Sequence, residues 1–132
     1  MSTISASQVK ELREKTGLGL MDCKKALEEA NGDIDLAIEE LRKTSGIKAS
    51  KKSGRSAADG LIGITSKNKD FFMIEVNCET DFVARDESYI NFTKETLDTY
   101  SNNPSQSLET LLESGIEDNR EKLVQKLGEN IV

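Results

Sequence analysis

The sequence predicts an α+β protein: an N-terminal bundle of three short helices, then a partial α+β unit in which an antiparallel hairpin packs with helices. Three observations carry this expectation. Apolar residues recur at helical spacing over residues 1–45, with a cap or a glycine at each break. Two apolar runs, over 60–65 and 71–77, flank a polar turn, which is the pattern of a hairpin. Beyond Val83 the helical period returns and persists almost to the C-terminus.

Taken in order, Ser5-Ala6-Ser7-Gln8 is a capping-box start, and Val9 and Leu12 share one face until Gly17 ends the first helix. The following loop, through Leu18, Leu20 and Met21, carries apolar side chains. A second helix over 21–30 gathers Met21, Ala26, Leu27 and Ala30, and Asn31-Gly32 closes it. Asp33 caps a third, with Ile34, Ala37, Ile38 and Leu41 inward. Helices this short are marginal alone, so they must hold one another.

Residues 46–58 read as a basic, small-residue connector whose backbone can be helical in part, giving expected units of 1–45, 46–58 and 59–132. The hairpin strands follow, joined by the polar turn 66–70. Tyr89, Phe92, Thr96 and Leu97 mark a helix that ends before Asn102-Asn103-Pro104. Leu108, Leu111 and Leu112 mark a short helix stopped at Gly115, and Leu123, Val124 and Leu127 mark a last one over 117–127. Residues 128–132 read as the start of a third strand. Because a two-stranded hairpin is marginal alone, residues 59–132 are expected to belong to a larger α+β unit. The alternative is that they close the sheet edge with another chain, a second copy included.

Composition narrows the function. With 132 residues, 36% hydrophobic and 32% charged, the chain has room for one domain, or a small domain plus a partial one. A net charge of −6 argues against non-specific affinity for nucleic acid or anionic membrane. The basic residues Arg42, Lys43, Lys48, Lys51, Lys52 and Arg55 form a run without acids, read as a solvated linker or as a contact for an acidic partner. An RNA site there lacks aromatic side chains to stack a base. Two cysteines, Cys23 and Cys78, make no disulfide framework; with no leader pattern or long apolar run, a cytoplasmic setting with reduced thiols is expected. The absence of histidine removes catalytic triads, Cys–His pairs and His-containing zinc sites. Gly17-Leu18-Gly19 lacks the later glycine and preceding strand of a phosphate loop. The expectation is a non-enzyme without cofactor or metal.

The most informative stretch runs from Phe71 to Val83. It starts as a buried-looking strand and breaks at a polar Asn77-Cys78-Glu79-Thr80-Asp81 cluster, and Phe82 sits directly behind an acid. An aromatic ring on a rigid strand exit suits a wedge into another protein. The other reading is a core ring at a helix start, and the residues alone leave both open.

Several segments, in this order, resemble elongation factor Ts, the bacterial nucleotide exchange factor for elongation factor Tu. They are Val9-Lys10-Glu11-Leu12-Arg13, Thr16-Gly17, Met21-Asp22-Cys23-Lys24-Lys25-Ala26-Leu27, Ala30-Asn31-Gly32-Asp33, Ala57-Ala58-Asp59-Gly60, Glu75 through Ala84, and Gly128-Glu129-Asn130-Ile131. The resemblance implies a ubiquitin-associated-like three-helix domain, a linker, and the first of two related halves of an α+β core. It implies elongation factor Tu as partner, with Thr80, Asp81, Phe82 and Val83 disturbing the partner's magnesium and phosphate site. It further implies that Arg13, Leu20, Met21, Cys23 and Lys24 meet the partner's nucleotide-binding domain, with Lys52 and Leu127 as additional interface positions. Read from the residues alone, Met21 also suits core filling, Cys23 a small buried apolar group, and Leu127 core packing beside Leu123 and Val124. With the second half of the core missing, weak exchange activity is expected. The competing function is a ubiquitin-associated-type binding module without exchange activity, suggested by the spacing of Ala26, Leu27, Gly32, Ala37 and Leu41, which leaves Phe82 without a role.

Overall fold

Capping decides where the first helices begin. In the computed structural model, which describes residues 3–132, Ser5 and Gln8 form the full reciprocal box at the start of α1 (Ala6–Thr16). The first two positions of the expected 1–45 unit lie outside the described residues. Gly17 closes α1 with its N–H on Arg13 O at 2.7 Å. After α2 (Leu20–Glu29), Asn31 and Gly32 turn the chain. Asp33 then accepts from Leu36 N at 3.0 Å to cap α3 (Ile34–Lys52). Val9, Leu12, Leu18, Cys23, Ala26, Leu27, Ala30, Ala37 and Leu41 form the core of this bundle.

Helix α3 runs on past residue 45 to Lys52, so about half of the connector 46–58, read as helical in part, is helix continuous with the bundle. Its buried stripe is Ala37, Leu41, Ser45 and Ala49, a strict four-residue repeat. Ala37 and Leu41 belong to the bundle core, whereas Ala49 belongs to the second core. One helix therefore serves both.

The hairpin is antiparallel, β1 (Asp59–Lys67) with β2 (Asp70–Cys78), in the register Gly60↔Asn77 to Lys67↔Asp70. The connection is two residues, Asn68-Lys69, both at positive φ (53° and 69°), not the five-residue turn expected. That geometry matches the strand twist, so pairing continues to the tip. Along β2 the pattern alternates. Phe72, Val76 and Cys78 are buried, whereas Phe71 and Met73 point outward beside Ile62 and Ile64 of β1. The buried-looking strand thus has one covered face and one bare apolar face.

The covered face packs on helices. After the one-turn α4 (Asp81–Ala84), α5 (Glu87–Asn102) lays Tyr89, Phe92, Thr93 and Leu97 inward. The Tyr89 hydroxyl donates to Val76 O at 2.5 Å, and Phe72 meets Tyr100 edge to face at 5.2 Å. The short helix α6 (Leu108–Leu111) leaves Leu108 exposed and buries Leu111. It runs through a π-helical turn, kinked at Gly115 (φ 111°), into α7 (Glu117–Leu127). Gly128 stops α7, and Ile131 returns to the core at zero exposure. Val132 and Asn77 then exchange both backbone hydrogen bonds, at 2.8 and 2.9 Å, so the last residue lies beside β2 as an antiparallel partner. Among the described residues, no helix is long and apolar enough to cross a membrane.

Candidate functional site

The exit of β2 is where polar chemistry concentrates. Cys78 is fully buried and its thiol donates to Thr80 O at 3.1 Å; burial pushes that thiol's pKa up, against a smaller lowering from the nearby Tyr89 hydroxyl. Thr80 is extended (φ −132°), and its hydroxyl accepts from Val83 N to cap α4. The four residues of α4 then divide by face. Val83 and Ala84 are buried against the core, whereas Asp81 and Phe82 face solvent, Phe82 at 81% exposure. Asp81 reaches Arg85 at 3.6 Å, an exposed pair that contributes little stability.

Beneath this turn lies a closed hydrogen-bond bracket. One oxygen of Glu129 accepts from Glu79 N at 3.1 Å and Thr80 N at 3.0 Å, and the other accepts from the Thr80 hydroxyl at 2.7 Å. In return, Glu79 accepts from Asn130 N at 2.8 Å and lies 3.5 Å from the Arg55 guanidinium. The buried Asn130 amide donates to Arg55 O at 2.8 Å and to Ser53 O at 3.5 Å. Lys52 secures the same segment, donating to Gly128 O at 2.7 Å, and Arg120 donates to Ile131 O at 2.9 Å. The bonds between Glu129 and the Glu79–Thr80 turn join residues about fifty positions apart, so no spacing rule reveals them. The one sign in the sequence is a polar Glu129-Asn130 pair placed between a helix stop and apolar Ile131.

The N-terminal candidates separate by exposure. Leu20 and Met21 stand out at 54% and 70%, with Arg13 and Lys24 also exposed. Cys23 has no exposure, sits 3.7 Å from the Thr16 hydroxyl, and has its thiol pKa raised chiefly by burial. Asp22 is braced from outside the bundle, by Lys48 at 3.8 Å and Gln125 at 3.3 Å. Leu127 is half-buried against the second core, and the Lys52 ammonium is engaged within the chain. Among the described residues, no group of three or more Cys, Asp or Glu side chains is placed to hold a metal ion.

Residues 79–132, from the bracket's Glu79 to the last residue, match the family model described as Elongation factor TS. Over 99% of its length, the chain is 54% identical to elongation factor Ts of Hahella chejuensis and 53% identical to that of Marinobacter nauticus, covering 46% of each relative. The likeness to elongation factor Ts runs the whole length of the chain. The chain is also 51% identical to elongation factor Ts of Acinetobacter baylyi, and it spans about half the length of the curated relatives it matches. The segment matched by the elongation factor Ts model carries both the exposed Phe82 and the Glu129 that braces the turn before it.

Proposed function

We propose that the chain acts as a guanine nucleotide exchange factor on elongation factor Tu, with Thr80, Asp81, Phe82 and Val83 forming the part that disturbs the nucleotide site. One observation carries this reading: an 81%-exposed phenyl ring stands on a turn whose next two residues are anchored in the core. Leaving such a ring in water forgoes roughly 1.5–3 kcal/mol of burial, which a partner's apolar pocket can recover. The likeness to elongation factor Ts supplies the partner class.

The mechanism follows from the partner's metal. Mg²⁺ demands near-octahedral coordination and bridges phosphate oxygens, so a ring wedged behind its ligands displaces them and leaves the diphosphate charge poorly compensated. Nucleotide then leaves faster. Linkage makes the effect mutual, and a coupling of ~3 kcal/mol corresponds to roughly 150-fold. Leu20 and Met21, flanked by Arg13 and Lys24, provide a second contact in which a flexible thioether adapts to the partner surface. Cys23 supports that turn from below, and Lys52 and Leu127 support the segment that ends beside β2. The chain itself performs no bond chemistry, requires no cofactor, and works in the cytoplasm. Because it spans about half of its relatives' length, its stimulation is weak: a small interface binds transiently.

The exposed Leu20 and Met21 at the start of α2 also suit a binding module of the ubiquitin-associated type, and Phe82 separates the two readings. Release of a fluorescent GDP from elongation factor Tu is timed with the chain and with Phe82→Ala. Acceleration is expected from the parent. A loss of about tenfold or more is expected from the variant, whose melting temperature stays unchanged because the ring stands in solvent. Equal rates from parent and variant, or no acceleration even from the chain extended to its relatives' length, would overturn the exchange reading.

A further inference from the structure

We propose that Glu129 is a positioning residue for Phe82, and that it fixes the angle at which the ring meets the partner; this rests on the exchange reading above. The observation is the reciprocity of the bracket. Glu129 takes the backbone N–H groups of Glu79 and Thr80 together with the Thr80 hydroxyl, at 3.1, 3.0 and 2.7 Å, while Glu79 takes the N–H of Asn130 at 2.8 Å. Each acid thus holds the backbone of the other's segment. Charge-assisted bonds of this kind are about twice as strong as neutral ones. Arg55, 3.5 Å from Glu79, offsets the two nearby negative charges, and the buried Asn130 amide ties Arg55's own carbonyl into the same unit.

The bracket reaches the ring through Thr80. Thr80 is the last residue before Asp81 and Phe82, and its hydroxyl joins Glu129 to the first turn of α4 through Val83 N. From the other side, Val83 and Ala84 are fixed by burial. Phe82 is too exposed for packing of its own ring to hold its direction, so its backbone is aimed by the residues on either side. Core packing fixes one side. Glu129 fixes the other. A wedge that arrives already oriented avoids ordering costs on binding, and a displacement of about 1 Å in such a group is enough to cost orders of magnitude in rate.

The chemistry also predicts which substitutions matter. Glu129→Gln leaves one side-chain oxygen for the two N–H groups and supplies an amide that can donate to the Thr80 oxygen, so it keeps the bracket's connections with weaker, neutral bonds. Glu129→Ala removes every acceptor, and Glu129→Asp withdraws the carboxylate by one methylene while keeping its charge.

The test has two arms. In the free chain, amide hydrogen exchange of Glu79 and Thr80 is followed by NMR. Glu129→Ala is expected to speed both by about tenfold or more while Leu27 and Val124 amides keep their protection, and Glu129→Gln is expected to fall between the parent and the Ala variant. Unchanged Glu79 and Thr80 amides in the Ala variant overturn the inference whatever the exchange assay gives. In the second arm, GDP release from elongation factor Tu is measured over a range of chain concentrations. Glu129→Ala is expected to lower the maximal release rate about tenfold with little change in the half-saturating concentration. Adding Phe82→Ala to it is expected to cost less than about twofold more, because the two residues act as one unit. Glu129→Gln is expected to restore part of the rate. Full additivity of the two losses, or a shift in half-saturation alone, overturns the positioning role while the exchange reading stands. No effect of Phe82→Ala in the parent overturns both. If the Ala variant does not fold, Glu129→Asp takes its place with the same outcomes.

Discussion

Glu121 lies on α7 facing Gly46 of α3, where a β-carbon would come within 3.1 Å of its carboxylate. Burial, and then repulsion from Glu117, raise the pKa of this carboxyl; attraction to Arg120 is smaller, Asp118 adds repulsion and Arg42 attraction. Folding therefore favours the protonated form. The contribution is fully present below the unfolded value of about 4.3 and is lost as pH rises through the higher folded value. Glu117 behaves oppositely: its hydrogen bond to Arg120 depresses its pKa, so its contribution holds above the unfolded value and is lost as pH falls through the folded one. Glu121→Gln is expected to stabilise the chain at pH 7 by about 0.5 kcal/mol, the scale of a small surface effect, and the gain should vanish near pH 3. Urea unfolding at both pH values measures it, and a gain of equal size at pH 3 contradicts this assignment. Single residues differed in how much of their role the sequence disclosed. Phe82 was legible as a candidate because it follows an acid at a strand exit, yet its exposure depends on Val83 and Ala84 taking the inward positions. Glu129 was legible only as half of a polar pair after a helix stop, since its partners are backbone amides far away in sequence.

At the scale of elements, the hairpin depends on one close approach. Gly60 has φ 152°, and a β-carbon there would fall 2.1 Å from Val76 O and 2.8 Å from Asn77 Cα, both backbone atoms of the paired strand. Nothing flexible can move aside. Gly60→Ala is therefore expected to cost about 2–4 kcal/mol by forcing the strands apart at the end nearest the site. A urea midpoint within error of the parent's would show that the strand end has slack. The two strands were readable from their apolar runs, but their full length was not. Lys67, Asp70 and the positive-φ pair Asn68-Lys69 look like a loose polar loop, and only the tight turn extends pairing to them. How far α3 runs into the connector was hidden for a related reason. Ser45, Gly46 and the surrounding lysines suggest a solvated linker, yet Ser45 continues the buried stripe because its hydroxyl is satisfied by Leu41 O at 2.9 Å and by Gln125.

For the whole molecule, that long helix is the consequential feature. Ala37 and Leu41 anchor its first half in the bundle, and Ala49 anchors its second half in the core beneath the hairpin. Ser45 and Gln125 join at the midpoint, and Asp22 of α2 is held by both Lys48 and Gln125. Each core thus uses a rigid segment nucleated by the other, because a helix turn gains stability from the turns already formed on either side. The first turn of α2, with Leu20 and Met21, and the Phe82 turn are thereby linked through one helix, which suits two contacts made on one partner. A proline at the midpoint separates the halves: Gly46→Pro deletes a main-chain donor and collides with the preceding turn, at about 3 kcal/mol or more. The parent is expected to unfold in a single transition by calorimetry and by far-UV circular dichroism. The variant is expected to show two, with the bundle melting first, since its helices are short and its core lacks aromatic residues. In the exchange assay the variant should need a higher concentration for half-maximal release while keeping a Phe82-dependent maximum, because the wedge and its bracket lie wholly on the other side of the break. One shared transition in Gly46→Pro would mean that the two cores are coupled through side-chain contacts such as Asp22 to Gln125 and not through the helix itself.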